Sequence, residues 1–193
     1  MATATALRIE AAATPKRARM PRGKSQWYLV HAPNREQATC DKLRKVVSPD
    51  FLDDAFVLRK ERWRKQGGEW QCSIVPLYQD YFFVATKDAA ALDKQLAKLS
   101  FPARIARGDG RTFVPFSPEA QEWYEGMMDD AHVIRSSVGV IVDGALQLQE
   151  GPLVGQEASV IQVNRPKRTC FVSVDDGENG MRECVPLVIP FKS

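Results

Sequence analysis

Between positions 59 and 65 five cations, Arg59, Lys60, Arg62, Arg64 and Lys65, stand against one acid, Glu61, with Trp63 in their midst. Clustered cations with an interleaved aromatic suit a chain that tracks a phosphate backbone and stacks a base. The same run also reads as the solvated arm of a hairpin. Arg104, Arg107 and Arg111 flank Gly108-Asp109-Gly110 and extend the positive set, while that turn lacks the spacing and the lysine of a phosphate-cradling loop. A third set, Arg165, Lys167 and Arg168, surrounds Pro166 and suits RNA, an acidic protein surface, or merely a soluble turn. Covalent chemistry has no comparable signal. His31 and His132 are far apart with no nucleophile constellation, and the acid pairs Asp53-Asp54, Asp129-Asp130 and Asp175-Asp176 are adjacent in sequence, a poor arrangement for shared acid–base work. Cys40, Cys72, Cys170 and Cys184 make no CxxC pair, so a zinc site, a catalytic residue and a cofactor are all unexpected, and free thiols in a reducing cytoplasm are the simplest reading.

The charge distribution sharpens this. The 193 residues carry a net +3, but residues 1–25 hold +5, residues 26–135 are neutral, and residues 136–193 hold −2. A broad positive face is therefore excluded for the folded part, and a local patch is not. Residues 1–25, alanine-rich and then basic, read as a disordered tail rather than a secretory signal. No apolar run approaches the roughly 20 residues that span a bilayer.

The elements that must position these groups follow from composition and period. Gln26-Trp27-Tyr28-Leu29-Val30-His31-Ala32 is a strand. Asn34 is a candidate cap, with Gln37 completing a capping box for a helix whose stripe is Cys40, Leu43 and Val47, with Val46 beside it. A strand over 55–59 precedes a hairpin that turns at Gly67-Gly68 and returns over 70–75. The run 81–86 is a central strand, 88–99 a helix, and 103–106 with 112–114 a second hairpin. Ser117-Pro118-Glu119 starts a helix whose stripe is Ala120, Trp123 and Met127. From 142 to 190 short apolar runs alternate with Gly, Asn, Pro and Asp turns, the pattern of a small all-β unit. Pro152, Pro166, Pro186 and Pro190 break any long helix there. The fold class is α+β: a tail at 1–25, a sandwich with an antiparallel sheet at 26–133, a linker at 134–141 and a small β-barrel at 142–193.

Two separated stretches resemble one family. Trp27-Tyr28-Leu29-Val30 is similar to the opening strand of the NusG family of transcription elongation factors, and Val75-Pro76-Leu77-Tyr78-Gln79-Asp80-Tyr81-Phe82-Phe83-Val84 to its "(P)LFPGYxFV" segment, with Gln79-Asp80 in place of Pro-Gly. Glu150-Gly151-Pro152-Leu153-Val154-Gly155 and the strands after it resemble the KOW motif of SH3-like barrels, with Ala158 where a glycine is common. Together the resemblance spans about 26–189. The segment 133–139 and the turn 164–168 look most like the specialised LoaP-type members, which act on selected long operons.

The resemblance implies an N-terminal domain that grips the clamp helices of RNA polymerase through an apolar cavity, with Trp27, Tyr78, Tyr81 and Phe82 as candidate contacts. Strand alternation puts Tyr81 and Phe82 on opposite faces. Trp27 and Tyr81 are assigned to the cavity, with Phe82 the alternative; core packing is the plain reading of all four. It further implies recognition of a nascent RNA hairpin by the basic run, a barrel partner such as a ribosomal protein or Rho, and a cytoplasmic monomer. The function expected is processive antitermination. The alternatives are a housekeeping NusG-like factor coupling polymerase to Rho or the ribosome, and a ribosome-associated RNA-binding KOW protein.

Overall fold

The computed structural model describes residues 25–175 and 180–190; the expected tail lies, apart from Ser25, outside them. The fold is mixed α+β. The chain runs β1 (Gln26–His31), α1 (Glu36–Val46), β2 (Asp54–Phe56), β3 (Arg59–Gln66), β4 (Glu69–Pro76), β5 (Tyr81–Thr86), α2 (Ala89–Leu96), β6 (Arg104–Ile105), β7 (Arg107–Gly108), β8 (Thr112–Phe113), α3 (Pro118–Met127), β9 (Val133–Ile134), β10 (Ser137–Val142), β11 (Ala145–Glu150), β12 (Val160–Asn164), β13 (Thr169–Ser173) and β14 (Arg182–Val188). No helix among the described residues is long and apolar enough to cross a membrane.

The aromatic and β-branched runs at 26–31 and 81–86 form the middle of a four-stranded sheet ordered β2-β5-β1-β6. β1 and β5 are antiparallel, with Trp27 opposite Ala85, Leu29 opposite Phe83 and His31 opposite Tyr81. Period-2 alternation splits the sheet into two faces. Tyr28, Val30, Phe82 and Val84 pack with Cys40, Leu43, Leu92 and Leu96 of the helices. Trp27, Phe83 and Ala85 face a second core, which continues through Tyr124 and Met127 of α3 into Leu148, Cys170, Val172, Val185 and Leu187 of the C-terminal sheet and Leu153 of the turn after β11. That sheet has five strands, ordered β11-β10-β14-β13-β12. A single apolar core thus joins the N-terminal part to the C-terminal sheet.

Several local expectations change. Asn34 does not cap α1: it sits at φ 55°, and its N–H donates to Asp80 Oδ1 at 2.6 Å. The cap position falls on Arg35 with no side-chain bond, and Gln37 Nε2 donates to Asp41 at 2.8 Å rather than completing a box. Segment 103–106 does not pair in a hairpin; β6 adds to the free edge of β1, and β7 takes its place opposite β8. The stripe of α3 is Ala120, Tyr124 and Met127, with Trp123 at its margin. The linker expected at 134–141 is mostly strand: Ile134 belongs to β9, parallel to β3, and 137–141 to β10, which pairs with β11 and, in parallel, with β14. Residues 135–136 alone connect the two, and the C-terminal unit starts at Ser137 rather than 142.

Asp129, just past α3, fixes this approach. Its Oδ1 accepts the N–H groups of Ala131 and Val133, both at 2.9 Å, and its Oδ2 accepts Arg135 Nε at 2.7 Å. Burial alone would raise its pKa, but the Val133 N–H and the Arg135 guanidinium outweigh that and hold it below 3.8. A depressed carboxyl contributes stability above its ordinary value and loses it as pH falls below that. Asp129→Asn is therefore expected to destabilise by about 1–2 kcal/mol at pH 7, with the difference from the parent chain shrinking below pH 3.8. Urea unfolding at neutral and acid pH checks both the size and the sign.

Candidate protein and nucleic-acid interfaces

Both segments that bear the aromatic candidates lie in the four-stranded sheet or lead directly into it. Trp27 and Tyr81 share one face; Phe82 is on the other, fully buried among the helices. Trp27 is 3% exposed, edge-on to Phe56 at 5.1 Å and to Phe83 at 5.9 Å. Tyr81 is half-buried and lies 4.9 Å from the His31 ring. It follows a tight turn in which Asp80 takes φ 67°, the left-handed conformation that glycine adopts at least strain. Tyr78, in the same turn, packs 6.0 Å from the Phe83 ring; its hydroxyl lies 2.7 Å from that of Tyr124 and donates to Glu183 Oε2 at 2.6 Å.

Glu183, on β14, is the centre of this contact and was not foreseen from sequence. It is 5% exposed, its Oε2 also accepts Tyr124 Oη at 3.1 Å, its Oε1 accepts its neighbour's N–H at 2.9 Å, and Lys60 Nζ stands 3.9 Å away. Burial first, and the Glu183 charge second, push both phenols well above the ordinary tyrosine value. Phe83, Phe116, Tyr124 and Trp123 complete the aromatic layer over which the C-terminal sheet sits. Trp123 Nε1 donates across to Gln156 Oε1 at 3.0 Å. Of the four aromatic candidates, then, Trp27 and Phe82 are core, Tyr78 is held by Glu183, and Tyr81 remains partly open.

The basic run is divided by the pleat of β3. Arg59 donates to Gln37 on α1. Lys60 donates to the Cys184 carbonyl at 2.6 Å. Glu61 accepts the Ser136 N–H at 2.9 Å and its hydroxyl at 2.7 Å, and pairs with Arg135 at 3.3 Å. Trp63 Nε1 donates to Ser136 Oγ at 2.7 Å. Arg62, Arg64 and Lys65 are exposed. From the C-terminal sheet Arg168, left-handed at φ 52°, places its guanidinium over two indoles, 4.8 Å from the Trp63 centroid and 4.1 Å from that of Trp70. Burial lowers its pKa. Arg165 and Lys167 stay exposed on the short 3-10 turn that Asn164 caps by accepting the Lys167 N–H at 3.1 Å. In the sequence Trp70 only starts a returning strand, and nothing local marks it as the second wall of a cation clamp.

Arg104, Arg107 and Arg111 do not extend this cluster: they lie on β6, β7 and the adjoining turn, at the β1 edge. Arg107 pairs with Asp93 at 2.6 Å and stacks on Phe113 at 4.6 Å, whereas Arg104 and Arg111 are exposed. His132 stacks on Phe56 at 4.4 Å. Cys40 and Cys170 are buried, and burial pushes both thiols up to about 12. The described residues contain no group of three His, Cys, Asp or Glu side chains arranged to hold a metal ion. No protein-family model matches this chain, and the comparison with curated proteins returns no relative.

Proposed function

We propose that this protein is a transcription elongation factor of the NusG type. It binds RNA polymerase through the aromatic face of its N-terminal sheet and promotes antitermination at selected operons, with leader RNA recognised by its exposed cations. The observation that carries this reading is the pairing of β1 with β5: two segments some fifty residues apart, each resembling a family signature, lie side by side with Trp27 and Tyr81 on one face. The five strands from Ser137 to Val188, with Gly151 directly after the second of them, are read as the KOW barrel, the module that would recruit a second protein such as a ribosomal protein or Rho. The mechanism is binding energy that shifts polymerase toward its processive conformation, with no bond made or broken by this chain.

With Tyr78 and Tyr124 engaged by Glu183, the polymerase contact falls on the open rim at Tyr81 until the C-terminal sheet is displaced. Tyr81→Ala is expected to weaken polymerase binding at least tenfold, the size of an aromatic anchor's loss at about 1.4–2 kcal/mol, without lowering the melting temperature appreciably. Co-purification with bacterial RNA polymerase and readthrough of a terminator downstream of the native leader test it. Readthrough that needs the leader supports the specialised role, and polymerase binding that ignores Tyr81→Ala removes the proposed contact.

A further inference from the structure

We infer that the RNA-binding surface is composite, built from the β3–β4 hairpin and the β12–β13 turn together, and present only while the C-terminal sheet is docked. This rests on the RNA reading above and adds to it a second half and a condition. The stacking of Arg168 over Trp63 and Trp70 pins the turn against the hairpin. Trp70 is paired with Lys65 across the hairpin, and Lys65, two positions from Trp63, shares the face of both indoles, while Lys167 is next to Arg168 in the turn. The clamp therefore brings the exposed cation Lys65 alongside the exposed cations Arg165 and Lys167, whereas Arg64 lies on the opposite face of the hairpin. None of the three has a carboxylate partner among the described residues. The nearest acids on the hairpin are Glu61, occupied by Ser136 and Arg135, and Glu69 at the turn.

Arg168 is itself the unusual residue. A cation half-buried over two indoles in a left-handed backbone conformation is badly placed to contact a ligand directly. It is well placed to set the spacing of the cations on either side. Three unpaired cations contributed by two separate elements, held beside one another by the clamp and flanked by aromatic rings, fit the phosphodiester backbone of a folded RNA, where phosphates of two strands converge. Lys60, Glu61 and Trp63 hold the same seam together through Cys184, Ser136 and Glu183. Binding of RNA to this surface and docking of the C-terminal sheet therefore favour one another.

The test uses the full chain, a fluorescent RNA hairpin carrying the native leader sequence, and titrations over a range of salt. Three variants are compared: Lys65→Ala, Arg165→Ala with Lys167→Ala, and Trp70→Ala. The hairpin variant Lys65→Ala should weaken binding several-fold and flatten the log–log salt slope by about 0.7–0.9, one phosphate; the paired turn variant should weaken it roughly tenfold or more and flatten the slope by about 1.4–1.8, two phosphates at about 0.7–0.9 each. Trp70→Ala should reproduce the turn variant's loss although it removes no charge; circular dichroism confirms that each variant is folded. If the hairpin variant weakens binding but the turn variant does not, the composite surface is wrong and the RNA reading survives on the hairpin alone. If the unmodified chain binds the RNA with no salt dependence, or not at all, the RNA reading itself falls. Equal affinity and slope on a DNA duplex of the same sequence would overturn the assignment to RNA.

Discussion

Replacing Glu183 with alanine is expected to loosen the C-terminal sheet from the rest of the protein by about 2–4 kcal/mol. The carboxylate is 5% exposed and accepts two phenol hydroxyls from the N-terminal part. Removing it leaves Tyr78 to bond with Tyr124 alone, and leaves Lys60 with a carbonyl but no counter-charge. Lys60 retains some access to water, which keeps the loss at the lower end of what breaking a buried pair can reach. Glu183→Gln keeps acceptor capacity and should lose about 1 kcal/mol. Hydrogen exchange along β14 and β3, together with denaturant unfolding, measures the effect. The phenols give an independent readout. Glu183 is the second cause of their raised pKa values after burial, so in the alanine variant they should ionise at lower pH than in the parent chain. Their raised values contribute stability in full below the ordinary value of 10.0 and lose it as pH rises through the folded value. A variant with unchanged exchange and unchanged ultraviolet titration would show that the seam is held by apolar packing alone.

That seam marks the limit of what the sequence could disclose. β1 and β5 were legible because aromatic and β-branched residues concentrate there. The β3–β4 hairpin was legible because Gly67 and Gly68 sit at φ 59° and 90° between two arms of matched length. The cap at Ser117 was legible because it is a local bond to Ala120, three residues on; Asp88 makes the same bond to Ala91 at the start of the helix expected over 88–99. Asn34 misled because its N–H is claimed by Asp80, 46 positions away. β10 was missed because a strand that starts Ser-Val-Gly gains its place from neighbours at 145–150 and 187–188. The cation clusters were visible as charges, but which of them remained free was not. Lys60 and Arg168 are absorbed by partners more than a hundred or nearly a hundred positions away, and only register and packing decide that. Glu183 illustrates the same point from the other side: an acid in a strand reads as solvent-facing until two tyrosines and a lysine are found around it.

Gly151→Ala is expected to be among the most damaging single-methyl changes in the chain. Gly151 has φ 95°, and a Cβ there would stand 2.6 Å from Ser137 Cα and 2.8 Å from the Ser136 carbonyl oxygen. Both are backbone atoms, so no side chain can swing away. The left-handed conformation adds about 1–2 kcal/mol for any residue with a Cβ, and the clash forces the entry to β10 to shift. The sum is about 3–4 kcal/mol, the size reserved for defects with a named structural cause. At about 2–4 °C per kcal/mol for a chain of this length, the melting temperature should fall by roughly 6–16 °C. Gly155 provides the control: its φ is 82°, but nothing lies within 4 Å of its missing Cβ, so Gly155→Ala should lose about 1–2 kcal/mol from backbone conformation alone. Equal melting of the two variants would rule out the close approach. Unequal melting has a consequence beyond stability. Ser137, which Gly151 presses against, accepts the Leu153 N–H at 3.0 Å, and Ser136 beside it accepts from Trp63 and donates to Glu61. Displacing this pair pulls on the hairpin through Trp63, one wall of the Arg168 clamp. Under the proposed RNA reading, Gly151→Ala should therefore weaken RNA binding without touching a single cation, and Gly155→Ala should not.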